Sequence, residues 1–162
     1  MPGTKIISLP SLKRIVKRLK QHGKRIVFTN GCFDILHYGH VKYLQDARSK
    51  GDYLVVAVNS DSSIKQIKAK NRPVIGQIDR LKTVAALSSV DSVVLFNADN
   101  PLGLIKALKP DILIKGADWS KQKIIGADFV KSYGGKVLTV NLVKGRSTSA
   151  LIEKIVRDFS KE

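Results

Sequence analysis

His37 and His40 stand three residues apart with Tyr38-Gly39 between them, directly after a strand-like run that closes in a glycine turn at Asn30-Gly31. On the first turn of a helix that spacing puts both imidazoles on one face. The free backbone N–H groups of such a turn and the positive end of the helix dipole attract an anion. Each imidazole can donate a hydrogen bond to a phosphoryl oxygen, and Gly39 keeps side-chain bulk away from a ligand lying close to the backbone. These parts suit phosphoryl transfer, in which positioning and charge stabilisation do most of the catalysis. A single histidine near a helix start is ordinarily a satisfied polar residue, but here two of the chain's three histidines straddle a glycine just after a strand.

A second group of residues points the same way. Ser147-Thr148-Ser149 opens the last helical pattern and offers hydroxyls and backbone N–H groups to another anion. Between the two groups the chain places Asn59 and Asp61, the basic Lys68 and Arg72, Arg80 on a helix, and Lys115-Gly116 followed by Asp118 and Trp119. Two anion-binding helix starts in one small chain suit a triphosphate together with a phosphorylated acceptor.

The elements that must bring these residues together follow from periodicity. Leu12, Ile15, Val16 and Leu19 have helical spacing, with Gly23 placed to stop the helix. Arg25 to Thr29 reads as a buried strand, and Val41, Leu44 and Ala47 give the next segment an apolar helical face ending near Gly51. Tyr53 to Asn59 is a continuous apolar run, as expected when both faces of a parallel sheet are covered. Asp79 to Ser88 is helical, Ser92 to Phe96 a third strand, Pro101 to about Leu108 a helix, and Asp111 to Lys115 a fourth strand. A short helix around Phe129 and Val130 ends at Gly134-Gly135, Val137 to Leu142 is the fifth strand, and the last helix turns Leu151, Ile152, Ile155 and Val156 inward. Strands alternating with helices predict an α/β fold, a Rossmann-like, doubly wound five-stranded parallel sheet with right-handed crossovers. Ligands of such sheets bind beyond the carboxyl ends of the strands, so the loops starting at Thr29, Asn59, Phe96, Lys115 and Leu142 carry the site.

The 162 residues fit one domain, residues 1–162, with residues 1–23 as an N-terminal helical extension. A composition of 43% hydrophobic and 26% charged residues is that of a globular chain and excludes a disordered one. The apolar run from Tyr53 to Val58 is too short to span a bilayer, and no apolar leader-like stretch precedes Lys13. The single cysteine, Cys32, excludes an internal disulfide and a cysteine metal cluster, so a reducing cytoplasm is the expected location. A net charge of +16 favours phosphorylated or polyanionic partners. Seven basic residues lie between Lys13 and Arg25, where the plain reading is a solvated helix face and the sharper one a membrane-surface segment. With one Trp and no aromatic-rich basic motif, the stacking platform of single-strand nucleic-acid binders is missing.

With these residues in view, the chain resembles the cytidylyltransferase-like nucleotidyltransferases. His37-Tyr38-Gly39-His40 is similar to their His-x-Gly-His signature, and Arg146-Ser147-Thr148-Ser149 to their late Ser-Thr-Thr element, with Ser149 standing where Thr is usual. Thr29 to Asp34, Val58 to Asp61, Asn71-Arg72-Pro73 and Lys115-Gly116 resemble the adenylyltransferase domain of bacterial heptose-phosphate enzymes, and glycerol-3-phosphate cytidylyltransferase is a related protein with the same first motif. The likeness covers about residues 11 to 157.

That resemblance implies attack of an acceptor's phosphate on the α-phosphorus of a nucleoside triphosphate, with pyrophosphate leaving. It assigns catalysis to His37, His40 and Lys68, and nucleotide binding to Asn30, Gly31, Cys32, Phe33, Gly39, Lys115, Gly116, Asp118, Ser147, Thr148 and Ser149. It assigns the acceptor sugar phosphate to Asp34, Asn59, Asp61, Arg72 and Arg80. Mg2+ would be carried mainly by the triphosphate, with no metal ligands from the protein. Several of these residues have duller readings: a solvated basic loop for Lys68 and Arg72, a helix cap for Asp34 and Asp61, an exposed ion pair for Arg80, and packing for Trp119. A homodimer is compatible with the resemblance. The nucleotide base, the acceptor and the role of Arg146 stay open, and a basic nucleic-acid-binding module and a non-catalytic nucleotide sensor are the rival classes.

Overall fold

The computed structural model describes residues 4–68, 71–120 and 123–159. Strands β1 (Ile26–Gly31), β2 (Tyr53–Asn59), β3 (Ser92–Phe96), β4 (Ile112–Gly116) and β5 (Lys136–Val140) form one sheet in the order β3-β2-β1-β4-β5, every pair parallel. Helices α1 (Leu9–Gln21), α2 (Tyr38–Arg48), α3 (Asp61–Ile67), α4 (Gln77–Ala85), α5 (Leu102–Leu108), α6 (Ala127–Ser132) and α7 (Thr148–Phe159) complete the described chain. The α/β architecture is the one the alternating pattern predicts.

Both faces of the sheet are covered, which explains why β2 carries no polar alternation. Val55 and Ala57 join one core with Leu12 and Val16 of α1, Leu104, Ile105 and Leu108 of α5 and Val130 of α6. Leu54, Val56 and Val58 face the other core, built with Tyr43, Leu44 and Ala47 of α2 and Leu81 and Val84 of α4. Helix α1 begins three residues before the first periodic position, Leu12, because Pro10 fits its first turn and the Ser8 hydroxyl accepts the Ser11 N–H. Residues ahead of α1 lie along the sheet edge: Ile7 N–H donates to the Val93 carbonyl (3.0 Å), and Val93 N–H donates to that of Lys5 (2.7 Å).

The strand order changes direction at β1. Strand β1 pairs with β2 along its whole length, from Ile26↔Tyr53 to Gly31↔Val58. With β4 it pairs only at Val27↔Ile112 and Phe28↔Leu113. Beyond those pairs the two strands part, and the crevice between their carboxyl ends is the topological switch point where such sheets receive ligands.

Apart from element bounds that move by up to three residues, as at Gln77–Ala85 and Lys136–Val140, three sequence expectations change. Asp61–Ile67 is a helix, α3, capped by the Ser60 hydroxyl accepting the Ser63 N–H at 3.1 Å; seven residues are too few to show helical periodicity in a polar stretch. Strand β1 runs on to Gly31, so Asn30 and Gly31 belong to the sheet rather than to a turn. The last helix does not bury Leu151, Ile152, Ile155 and Val156: none of its residues is buried, and Ile155 and Val156 are about half exposed at 51% and 56%. Its apolar stripe sets an amphipathic helix, but periodicity says nothing about whether this chain covers the stripe.

Candidate active site

His37 is the N-cap of α2 and His40 the third residue of its first turn. The Gly39 N–H donates to His37 Nδ1 at 3.1 Å, and the His37 N–H donates to His40 Nδ1 at 3.4 Å. Both Nδ1 atoms are therefore acceptors, and this pattern assigns the single proton of each neutral ring to Nε2. The rings stack with centroids 3.9 Å apart and 29° between their planes, and Phe33 lies 5.5 Å from the His40 ring. Burial lowers the His40 pKa to about 4, helped by the neighbouring His37 and opposed by Asp34. Burial also lowers that of His37, with the Arg146 charge acting in the same direction. At neutral pH the pair is uncharged and presents Nε2–H donors.

Gly39 has a tighter reason to be glycine than clearance for a ligand. A Cβ there would sit 2.9 Å from His37 Cε1 and 3.1 Å from Arg146 Cβ. The missing side chain lets the His37 ring fold back onto its own helix and lets the Arg146 segment approach it.

That approach joins segments 114 residues apart in the sequence. Thr148 Oγ1 donates to the Asp34 carbonyl at 2.6 Å, and Ser147 Oγ accepts the Ala150 N–H at 3.1 Å as a cap of α7. A small cleft of about 150 Å3 lies between them, lined by His37, Tyr38, Arg146, Ala150, Leu151 and Lys154. Ser149 is exposed on the first turn of α7. A larger groove of about 710 Å3 runs between α1 and α5, under the other face of the sheet and away from the histidines.

At the switch point the Lys115 ammonium donates to the Asn30 carbonyl at 3.0 Å and lies 5.7 Å from the ring centre of Trp119, which is 47% exposed. Burial lowers its pKa to about 8, against the pull of Cys32 and Asp118. The Asn30 side-chain oxygen is buried and has no hydrogen-bond partner. Gly116 allows Asp118 to fold close, since a Cβ would lie 2.5 Å from Asp118 Oδ1. Gly31 likewise gives space to the Phe33 ring, 3.0 Å from where a Cβ would stand. Burial pushes the Cys32 thiol pKa up, so it stays protonated despite the cations of Lys68, Arg80 and Arg72 around it.

The acidic residues do not face an open acceptor site. The buried Asp34 carboxylate accepts Arg72 Nε (2.6 Å), Val74 N–H (2.9 Å) and Ile75 N–H (2.8 Å), and bonds to neither histidine. Burial alone would raise its pKa, but those two backbone donors and Arg72 outweigh it and hold the carboxyl below the usual range. Arg80 has no exposed surface: it donates to the carbonyls of Ile75 (2.9 Å), Cys32 (2.6 Å) and Asn59 (2.8 Å) and to Asp61 Oδ1 (2.8 Å). Its expected reach toward a substrate is thus corrected, because the guanidinium points inward and ties the ends of β1 and β2 to the segment before α4. Asn59 is turned the same way, its amide donating to Ser63 Oγ at 2.9 Å. Asp61 is the partly exposed partner of Arg80, Arg72 is mostly covered, and Lys68 is exposed at the end of α3.

Sequence reasoning passed over Tyr43, whose buried hydroxyl bonds to Thr29 Oγ1 (2.7 Å) and donates to the Ile114 carbonyl (3.3 Å), stitching β1 to β4 just below the crevice. Its signal was a polar atom on the inward face of α2, three residues after His40.

The cytidylyltransferase-like family model matches residues 28–158, from β1 to the last turn of α7. The chain belongs to that family. It is 52% identical over 158 residues to the bifunctional protein HldE of Geotalea uraniireducens and 50% identical to that of Geobacter metallireducens, each alignment covering 98% of this chain and 32% of the relative. The chain therefore spans about a third of the length of these curated relatives. A lipopolysaccharide core biosynthesis protein from Thermoplasma volcanium is similar in structure, with a TM-score of 0.61 and 31% identity, covering 75% of this chain and 98% of that one. Pantothenate synthetase from Thermus thermophilus has the same TM-score of 0.61 at 14% identity, covering 85% of this chain and 62% of that one, and shows the shared fold alone.

Proposed function

We propose that this member of the cytidylyltransferase-like family is a nucleotidyltransferase that moves a nucleoside monophosphate from ATP to D-glycero-D-manno-heptose 1-phosphate. Pyrophosphate is released and the product is a nucleotide-activated heptose for surface polysaccharide. The observation that carries the reading is the Thr148–Asp34 hydrogen bond of 2.6 Å, which sets the hydroxyl-rich start of α7 against the histidine segment. The heptose rests on the resemblance of the first motif and on about 50% identity to the HldE proteins over nearly the whole chain. A lipopolysaccharide core biosynthesis protein among the structural neighbours agrees with it.

In this reaction an oxygen of the acceptor phosphate forms a bond to the α-phosphorus, and the bond from that phosphorus to the bridging oxygen of the β-phosphate breaks. The nucleophile is already anionic at neutral pH, so no strong general base is needed. The Nε2–H groups of His37 and His40 donate to the phosphates and stabilise the charge gathering on the leaving group, worth about 3 kcal/mol for one well-placed donor. Neutral imidazoles, kept so by burial, do this without depending on a proton from solvent. Ser147, Thr148 and Ser149, with the N–H groups of α7, hold the β- and γ-phosphates. Lys68 and Arg72 face the α-phosphate and the acceptor phosphate.

Lys115, Gly116 and Asp118 form the nucleoside end of the cleft. The unpartnered buried oxygen of Asn30 accepts a hydrogen bond there from a ribose hydroxyl or a base amino group. Mg2+ enters as part of the nucleotide complex. Asp34 and Asp61 are committed to Arg72 and Arg80, and Asp118 is given to the nucleoside, so no protein ligand is assigned to the metal and no step is routed through it.

Among the described residues no helix is long and apolar enough to cross a membrane. We place the reaction in the cytoplasm on separate grounds, the single unpaired cysteine and the ATP it would consume. The test is a pyrophosphate-release screen of ATP, CTP and GTP against heptose 1-phosphate and glycerol 3-phosphate. Release with ATP and heptose 1-phosphate supports the reading, release with CTP and glycerol 3-phosphate moves the chain to the polyol-phosphate cytidylyltransferases, and salt-sensitive nucleic-acid binding without turnover discards both.

A further inference from the structure

Asp34 sits where the two ends of the cleft meet. Its carboxylate binds the side chain of Arg72 and the main chain of Val74 and Ile75, while its main-chain carbonyl is held by Thr148, 114 residues later in the sequence. The segment it holds is gripped from the other side too, because the Ile75 carbonyl accepts Arg80 Nε at 2.9 Å. An unbroken set of bonds thus runs from Arg80 at the ends of β1 and β2, through Ile75 and Asp34, to the first residue of α7.

The backbone around Asp34 is one that its residues do not choose for themselves. Phe33 and Ile35 both take left-handed conformations, with φ of 50° and 51°, and neither is glycine. Such residues persist there only where surrounding contacts impose the conformation. The Thr148 hydroxyl is one of those contacts, and a hydroxyl has a single proton. A phosphate bound at the start of α7 and the Asp34 carbonyl compete for it, and the anion is the stronger acceptor.

We propose that Asp34 is a positioning residue that couples the polyphosphate end of the cleft to the acceptor end. Through its carbonyl it responds to whether the Thr148 proton is engaged; through its carboxylate it fixes where Arg72 stands. The assignment of a ligand to each end rests on the nucleotidyl-transfer reading above, whereas the bonded path between Thr148 and Ile75 does not.

Amide hydrogen exchange in the ligand-free protein tests the path. Thr148→Val, which keeps the side-chain shape and removes the proton, should speed exchange at Val74 and Ile75 by about tenfold, and Thr148→Ser should exchange as the parent does. Unchanged exchange at both amides in Thr148→Val overturns the coupling whether or not the protein turns over a nucleotide. In turnover, Asp34→Asn puts an amide against the Arg72 and backbone donors, so KM for the acceptor should rise about tenfold while KM for the nucleotide stays within about twofold. Equal rises in both, or none in either, contradict the proposal. A parent protein that releases no pyrophosphate with any pair sinks the functional reading alone, and the exchange comparison still decides the coupling.

Discussion

The His37 and His40 rings lie face to face with centroids 3.9 Å apart, and the deeper ring, His40, keeps its proton affinity far below that of a free imidazole. An unfolded chain takes up a proton on this residue near the ordinary histidine value of 6.5, but the folded one does so only near 4. Stability is therefore complete above about pH 6.5 and is lost as the pH falls toward 4, by about 2 kcal/mol between pH 7 and pH 5. Urea unfolding at the two pH values should show that drop, and His40→Gln should remove most of it. An equal drop in the variant would mean that other groups carry the acid sensitivity.

Arg80 has no exposed surface and holds three main-chain carbonyls and one carboxylate. Arg80→Met leaves those acceptors without their donor and should cost about 3–5 kcal/mol of stability. Chemical denaturation measures this directly. A loss below about 1 kcal/mol would show that water or a rearranged side chain replaces the guanidinium at little cost.

Gly39→Ala places a methyl group within 2.9 Å of His37 Cε1 and 3.1 Å of Arg146 Cβ. Alanine suits a helix, so the fold should survive with little change in melting temperature. The displaced imidazole and the pushed-back Arg146 segment should lower kcat/KM about 100-fold. Parent-like kcat/KM in this variant would show that the close approach is dispensable.

Lys115 is charged only below its lowered pKa of about 8. If its ammonium binds the nucleotide, kcat/KM for the nucleotide should fall along a basic limb centred near pH 8. Lys115→Arg, whose charge does not titrate, should shift that limb well upward. A pH profile flat through pH 9 in the parent removes Lys115 from nucleotide binding.

Much of this protein can be read from its sequence where side-chain pattern and local geometry agree. Tyr53–Asn59 and Ser92–Phe96 are strands over their expected bounds, because continuous apolar residues with turn signals on both sides have few other stable arrangements. The His37–His40 turn was equally legible, since spacing and the intervening glycine fix its form. What the sequence hides is direction and partnership. Arg80, Asn59 and Asp34 carry the residue types of a substrate site, yet their side chains bind protein atoms, and composition cannot tell an arginine facing a cleft from one facing carbonyls. The apolar stripe of α7 shows the opposite case, a periodicity correct for the helix and silent on what lies against it.

The central claim is that the histidine turn and the start of α7 hold one polyphosphate chain. Calorimetric titration of ATP into the parent, His40→Ala, Thr148→Ala and the double variant tests it most directly. Each single change should weaken binding about tenfold or more, with the double variant losing less than the product of the two because a triphosphate released at one end is already loosened at the other. ATP affinity unchanged by Thr148→Ala would contradict it.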